Sequence, residues 1–294
     1  MRCLIDADVL VYEIGFSGEY VDDDGEERVR EFDFVAQLLD QKISEIEAEC
    51  WSDRPPVLFL TNDPTLNKMW NRQRKRRGKE PVEYKPNFRI ATATTKPYKG
   101  QRKQKKPFHR DNIRAYMLDN YDVRIANGME ADDLLAIEQT KAAPLTTIIC
   151  SRDKDLKMVE GMHFSWPCGK QPQWGPAPVG KIGRLHYDSG KNKITGTGSK
   201  FFYSQVLCGD TVDNYGGLPR CGPARAFKLL EGKSSEADLF EAVRGAYRDK
   251  YGDDWETHFF EQADLAWMCR ETDDENGRLV AYTPPSYKRR YVDV

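Results

Sequence analysis

Short apolar runs alternate with longer stretches whose apolar residues recur every three or four positions in the first half of this chain. Cys3-Leu4-Ile5 reads as a buried strand, and Val9-Leu10-Val11 beyond it as the start of a helix. The spacing predicts a helix from Phe34 to Cys50, with Val35, Leu38, Leu39, Ile43 and Ile46 on one stripe. Pro55-Pro56 ends that connection, and Val57-Leu58-Phe59-Leu60 predicts a strand. Farther on, the pattern predicts a helix over 111–121, a strand at Val123-Arg124-Ile125, a helix over 130–141 and a strand over 146–150. This alternation predicts an α/β fold with a parallel sheet. From Gly161 to Thr197 the chain is rich in Gly, Pro and Lys and reads as short strands or loops, with Trp166 and Trp174 as packing residues. Helical spacing returns at Phe201 and continues to about Thr272, broken at Gly209-Asp210 and Tyr215-Gly216-Gly217. The tail from Pro284 to Arg290 reads as extended and basic. The expected division is an α/β core over 1–198 and a helical region with its tail over 199–294.

Acids gather in clusters along the chain, namely Asp6 and Asp8, Asp63, Glu130 with Asp132 and Asp133, Asp153 with Asp155, and Asp210 with Asp213. Of these, Asp6, Asp63 and the Asp153/Asp155 pair each lie just after a strand-like run. Sites in open parallel sheets form outside the carboxyl ends of the strands. Oxygen ligands suit hard cations such as Mg²⁺ or Mn²⁺, and Mg²⁺ also leans on substrate phosphates. Any one of these acids is most simply a helix cap or loop residue, since Asp at a strand–helix junction is common. Several at equivalent strand ends suggest two divalent ions and phosphodiester chemistry.

Charge changes the picture next. The formal net charge of −2 conceals a block from Lys68 to Lys106 with fifteen Lys and Arg and only two acids, Glu80 and Glu83. Such a block suits a polyanion or forms a solvated loop. Trp70, Tyr84, Phe88, Tyr98 and Phe108 are threaded through or beside it, and bases stack on such rings. Arg74, Arg76 and Arg77 are its candidate phosphate contacts. No apolar run approaches the length of a membrane span, and the start of the chain reaches an acid too soon for a signal peptide. Seven cysteines, odd in number and without CxxC spacing, favour reduced thiols in a cytosolic compartment over a disulfide scaffold or zinc site.

The segment from Gly209 to Ala224 combines two features. Asp210 and Asp213 suit a metal, and the glycines from Gly216 to Gly222 lead into a helix at Pro223. Helix starts and glycine turns expose N–H groups that bind phosphate. Gly217, Gly222 and Arg225 are therefore candidate DNA contacts. A packing corner between helices is the alternative.

With these motifs in order, the chain resembles the 5′-nuclease family of flap endonucleases, phage 5′-exonucleases and the 5′-nuclease domain of bacterial DNA polymerase I. The resemblance rests on Ile5-Asp6, Asp63, Tyr98-Lys99-Gly100-Gln101-Arg102, Glu130-Ala131-Asp132-Asp133, Ser151-Arg152-Asp153-Lys154-Asp155 and Gly209 to Ala224, and spans roughly residues 3 to 230. It implies a parallel-sheet nuclease core with a helical arch over about 64–110, then a helix–three-turn–helix region that grips duplex DNA. It also implies that Asp6, Asp63, Glu130, Asp132 and Asp133 surround one Mg²⁺, and Asp153, Asp155, Asp210 and Asp213 a second, with Mn²⁺ able to substitute. Lys99 and Arg102 would contact the scissile phosphate, Tyr98 the DNA, and a K⁺ would sit near Gly216 to Gly222. Asp8 stands where the family often has a neutral residue. The stretch between Asp63 and Tyr98 is longer and more basic than the family pattern.

The implied activity is structure-specific 5′–3′ exonuclease or flap-endonuclease hydrolysis of DNA by a monomer in the cytoplasm. An RNA–DNA hybrid is a further implied substrate. A chain without a fused polymerase suggests, by analogy, phage replication or recombination. A related metal-dependent ribonuclease and an inactive DNA-binding scaffold are the rival readings. The Gly209 to Ala224 element argues against the first, and the filled acid positions argue against the second.

Overall fold

A computed structural model describes residues 1–101, 105–273 and 277–294. Packing divides the chain into two units. One comprises Met1–Pro86, Gln104–Asp153 and Met162–Ala177, and the other Asn87–Lys103, Lys154–Gly161 and Pro178–Val294.

The first unit is built on a sheet. Strand β1 (Arg2–Asp6) leads without a loop into helix α1 (Ala7–Ser17), and a charged hairpin of β2 (Glu19–Val21) and β3 (Glu27–Val29) follows. Helix α2 (Phe32–Glu49), β4 (Arg54–Thr61) and α3 (Pro64–Arg76) come next. After the short α4 (Arg89–Thr92), which belongs to the other unit, come α5 (Arg110–Asn120), β5 (Asp122–Ala126), α6 (Ala131–Lys141), β6 (Thr147–Cys150), β7 (Gly161–Ser165) and β8 (Trp174–Val179). The sheet runs in the order β5-β4-β1-β6-β7-β8, and every pair from β5 to β7 is parallel.

Helices cover the sheet, so its inner strands are continuous apolar runs rather than alternating ones. Cys3, Ile5, Leu58, Leu60, Ile148 and Cys150 share a core with Leu10 and Ile14 of α1, Val35, Leu39 and Ile43 of α2, and Ile113 and Met117 of α5. Each fully buried aliphatic side chain of this kind contributes about 1.5–3 kcal/mol. Helix α6 packs against β1, β4 and β5. In this order β1 is flanked by β4 and β6, and the chain departs from it in both directions. The C-terminal ends of β1, β4, β5 and β6 are therefore where a parallel sheet offers a site.

The second unit is centred on α7 (Gly198–Cys208), a helix buried on nearly every side. The hairpin of β9 (Leu185–Asp188) and β10 (Lys193–Gly196) precedes it, and α8 (Pro223–Leu230), α9 (Glu236–Tyr251), α10 (Trp255–Ala266), β11 (Leu279–Val280) and β12 (Tyr291–Val292) follow. Aromatic rings fill its centre, with Phe202 4.8 Å from Tyr282 and 5.0 Å from Trp267. The tail is anchored: Arg290 pairs with Asp264 at 2.7 Å and lies over the Phe260 ring. Residues 178–198, which the sequence pattern places in the α/β core, pack in this unit, because Ile182, Leu185 and Ile194 join its apolar cluster. Among the described residues, no helix is long and apolar enough to cross a membrane.

Candidate active site

Three of the sequence-predicted acids sit at helix starts. Asp6 precedes α1 and accepts from Val9 N at 3.3 Å. Asp63 precedes α3 and accepts from Thr65 N and Leu66 N at 2.9 and 2.8 Å. Glu130 precedes α6 in a reciprocal capping box with Asp133. Carboxylates at these positions satisfy amides that the helix leaves unpaired. Local structure therefore accounts for their placement, and their surroundings separate them by role.

Asp63 is neutralised. Its Oδ2 receives Arg110 at 2.6 Å and Arg114 at 2.9 Å, and Arg114 is 1 % exposed. Although burial opposes ionisation, these guanidiniums and the capping amides hold its carboxyl well below the usual range. Both oxygens are committed, so Asp63 here knits α3 to α5. Asp133 is wholly buried inside its capping box. Asp132, on the first turn of α6, is half-buried.

Asp6 is different. It is 3 % exposed. Burial, then the negative charge of Asp8, push its carboxyl up to about 7, with Asp153 adding to the rise; a hydrogen bond from Ser151 works the other way. Ser151 Oγ donates to Asp6 Oδ2 at 2.7 Å and accepts from Asp153 N at 2.9 Å, joining the ends of β1 and β6. Asp8 accepts from Thr61 N at 2.9 Å, at the end of β4. Burial raises its carboxyl, the Thr61 hydrogen bonds and then Arg114 work the other way, and Glu130 adds a smaller rise. Thr61 Oγ1 accepts from Ala131 N at 2.9 Å, which brings the start of α6 to the same place. Asp8 and Asp153 thus act on Asp6, and Glu130 acts on Asp8; among the described residues no cation is a main influence on Asp6, while Arg114 is one on Asp8. Like charges crowded at low dielectric are what a dication relieves, and all their donors are oxygens. The residues fit a hard divalent ion. Asp8, outside the ligand set that the resemblance implies, joins this group, and its spacing of two from Asp6 is the signal for it in the sequence.

In the second unit, Asp155, Asp210 and Asp213 gather with cations. Lys154 Nζ bridges Asp155 at 2.9 Å and Asp210 at 2.7 Å. Asp155 also accepts from Gln205 of α7, whose Oε1 takes the Tyr215 hydroxyl at 2.8 Å. Asp210 caps its own turn through Val212 N and Asp213 N. Despite burial, Lys154 and these amides lower its carboxyl. Asp213 meets the Tyr98 hydroxyl at 3.1 Å and Lys99 Nζ at 3.9 Å, and its carbonyl accepts from Lys99 N. The predicted DNA contact Tyr98 and the predicted phosphate contact Lys99 therefore both face a carboxylate. Arg102 lies outside the described residues.

The glycine segment has two kinds of member. Gly217 adopts φ +62°, and a Cβ there would stand 2.7 Å from Leu207 O. Its N–H donates to Gln262. Gly217 is thus a packing glycine with its amide already used. Gly222 is exposed and lies at the start of α8, and a Cβ there would meet nothing within 4 Å. Arg225, in the first turn of α8, is exposed. In the basic block α3 is helical to Arg76 and α4 is a single turn, with irregular chain between them. Arg74 donates to Glu80 O and lies over Trp70 at 5.2 Å, while Arg76 and Arg77 are exposed.

No family model matches the chain. Several solved structures are similar over most of its length. The D15 protein of bacteriophage T5, crystallised with metal ions, is 11% identical with a TM-score of 0.49, covering 90% of this chain and 99% of its own. The T5 5′-exonuclease with bound zinc is 15% identical with a TM-score of 0.48, over 90% of this chain and 99% of that one. The catalytic core of Rad2 in complex with DNA substrate is 12% identical with a TM-score of 0.39, over 93% of this chain and 76% of that one.

Proposed function

We propose that the chain is a divalent-metal-dependent nuclease that hydrolyses DNA phosphodiester bonds at 5′ ends or flaps beside a duplex. The observation that carries this reading is the group of Asp6, Asp8 and Asp153, with Glu130 acting on Asp8; burial first, then Asp8 and Asp153, raise the Asp6 carboxyl to about 7. In this proposal these acids serve one Mg²⁺, and Asp155, Asp210 and Asp213 serve a second. The bound ions would supply an activated water and positive charge against the developing phosphate oxygens. Ser151 fixes the orientation of Asp6, and Thr61 that of Asp8. Lys99 and Arg102 would bind and orient the scissile phosphate, with Lys99 leaving Asp213 to do so. Arg76, Arg77 and the exposed start of α8 would hold phosphates away from the cut. The motif order supports the 5′-nuclease reading over a general metal-dependent phosphatase, which has no use for fifteen basic residues in one block.

The test is cleavage of an end-labelled 5′-flap duplex, with single-stranded RNA and a small phosphate monoester as comparisons. The flap duplex should be cut in Mg²⁺ or Mn²⁺ and spared in excess chelator. Faster turnover of the RNA would favour the ribonuclease reading, and cleavage of the monoester alone would remove nucleic acid from the account.

A further inference from the structure

Folding unites three cysteines that the sequence keeps far apart. Cys3 lies on β1, Cys50 closes α2 and Cys150 ends β6. Each is 0% exposed. Their three sulfurs all lie within 4.8 Å of one another, and Cys50 Sγ and Cys150 Sγ are 3.7 Å apart. Sulfurs bound to one Zn²⁺-like ion at about 2.3 Å stand roughly 3.8 Å apart in a tetrahedron and roughly 4.0 Å apart in a trigonal plane. The trio needs shifts of less than about 1 Å to match either figure.

We propose that Cys3, Cys50 and Cys150 form a binding site for a thiophilic d¹⁰ dication of the Zn²⁺ and Cd²⁺ class, distinct from the carboxylate sites. Soft thiolates select such ions, whereas Mg²⁺ and Mn²⁺ prefer oxygen. Binding releases the protons still held by the thiols. A dication with three thiolates leaves one negative charge, whereas a monovalent ion would leave two, which is harder to bury. The sulfurs already face one another, and hydrogen bonds from Cys150 and then Cys50 lower the Cys3 thiol while burial pushes the Cys150 thiol up. A bound ion would tie β1, the end of α2 and β6 together. Because all three sulfurs are buried, the ion enters as the chain folds or through local opening.

The experiment refolds the full chain with Cd²⁺ under a phosphine reductant, then washes it with excess Mg²⁺ to clear the carboxylates. Metal content and the ultraviolet sulfur-to-cadmium charge-transfer band are read. Wild type should retain one Cd²⁺ per chain and show the band. Cys3→Ser, Cys50→Ser and Cys150→Ser should each lose the band, and Cys168→Ser and Cys221→Ser should keep it. Should a serine variant not fold, thiol alkylation of the folded wild type decides: Cd²⁺ should slow labelling of Cys3, Cys50 and Cys150 at least tenfold relative to metal-free protein. Absence of the band, its survival in any of the three variants that fold, or equal labelling with and without Cd²⁺ would overturn the proposal. So would mild oxidation joining Cys50 to Cys150 as readily in the Cd²⁺-treated chain as in the metal-free one.

Discussion

At the scale of residues, Asp6 and Asp63 begin as the same thing, an aspartate capping a helix after a strand, and end with opposite electrostatics. The Asp6 carboxyl, raised from its ordinary 3.8 to about 7, binds protons in the folded chain that the unfolded chain has released. Metal-free stability should therefore fall as pH rises from about 4 to about 7 and level off above. Asp6→Asn keeps the cap, removes that slope and should stabilise the metal-free chain at pH 8, on the order of 1–3 kcal/mol. Saturating Mg²⁺ should also flatten the wild-type slope. Thermal melts across pH, with and without Mg²⁺, read both effects, and a wild-type chain whose metal-free stability climbs over that range would contradict the assignment.

Asp63 has the reverse sign. Its depressed carboxyl contributes stability that is present at neutral pH and lost as pH falls through the carboxylate range. Asp63→Asn leaves the buried Arg114 with only its longer pair to the more exposed Asp111, at 3.4 Å, and should cost about 3 kcal/mol. Denaturant unfolding at pH 7 checks it; a loss too small to measure would mean the pair is idle. The sequence shows both aspartates but not Arg110 and Arg114, which reach Asp63 from α5, across the whole basic block. That pairing is tertiary, and no local pattern announces it. The cysteine trio escapes notice for the same reason.

At the scale of elements, apolar periodicity discloses β1, α2, β4, α5, β5, α6 and β6 nearly as they form, because each buries a stripe or a run, α6 against β1, β4 and β5 and the others in one shared core. The β2–β3 hairpin escapes it, since Glu27 to Val29 is exposed throughout and shows no alternation. The glycine segment was legible as a turn but not in its division of labour, which depends on what α7 and α10 place beside each glycine. Gly217→Ala must hold φ +62° against the Leu207 carbonyl, so it should cost about 1–3 kcal/mol from backbone strain alone. Gly222→Ala has an ordinary φ of −80° and open space, and should stay within about 0.5 kcal/mol. Chemical denaturation of the two variants separates them, and equal losses would refute the distinction. Any DNA-binding defect of Gly222→Ala then reports on the exposed start of α8 rather than on folding.

At the scale of the molecule, the proposed binding of a polyanion by a chain of net charge −2 requires that its charges be segregated, as they are from Lys68 to Lys106. Arg76→Ala and Arg77→Ala should weaken duplex binding uniformly across sequences. Each should reduce the slope of log affinity against log salt by about 0.9 if it meets one phosphate. Fluorescence anisotropy at several salt concentrations measures this, and an unchanged slope would remove that arginine from the interface. The expected division at residue 198 follows composition, whereas the units follow packing, so residues 87–103 and 154–161 fall with the helical part. The central claim is that the acids around Asp6 hold the ion on which cleavage depends. The most direct test compares wild type with Asp6→Asn on a labelled 5′-flap duplex across an Mg²⁺ titration, with duplex binding measured in Ca²⁺. The account predicts that Asp6→Asn lowers cleavage at least about 10²-fold, on the scale of losing one essential electrostatic group, while binding changes by only a few-fold. An Asp6→Asn chain that cuts at the wild-type rate, or wild-type cleavage that persists in excess chelator, would contradict it.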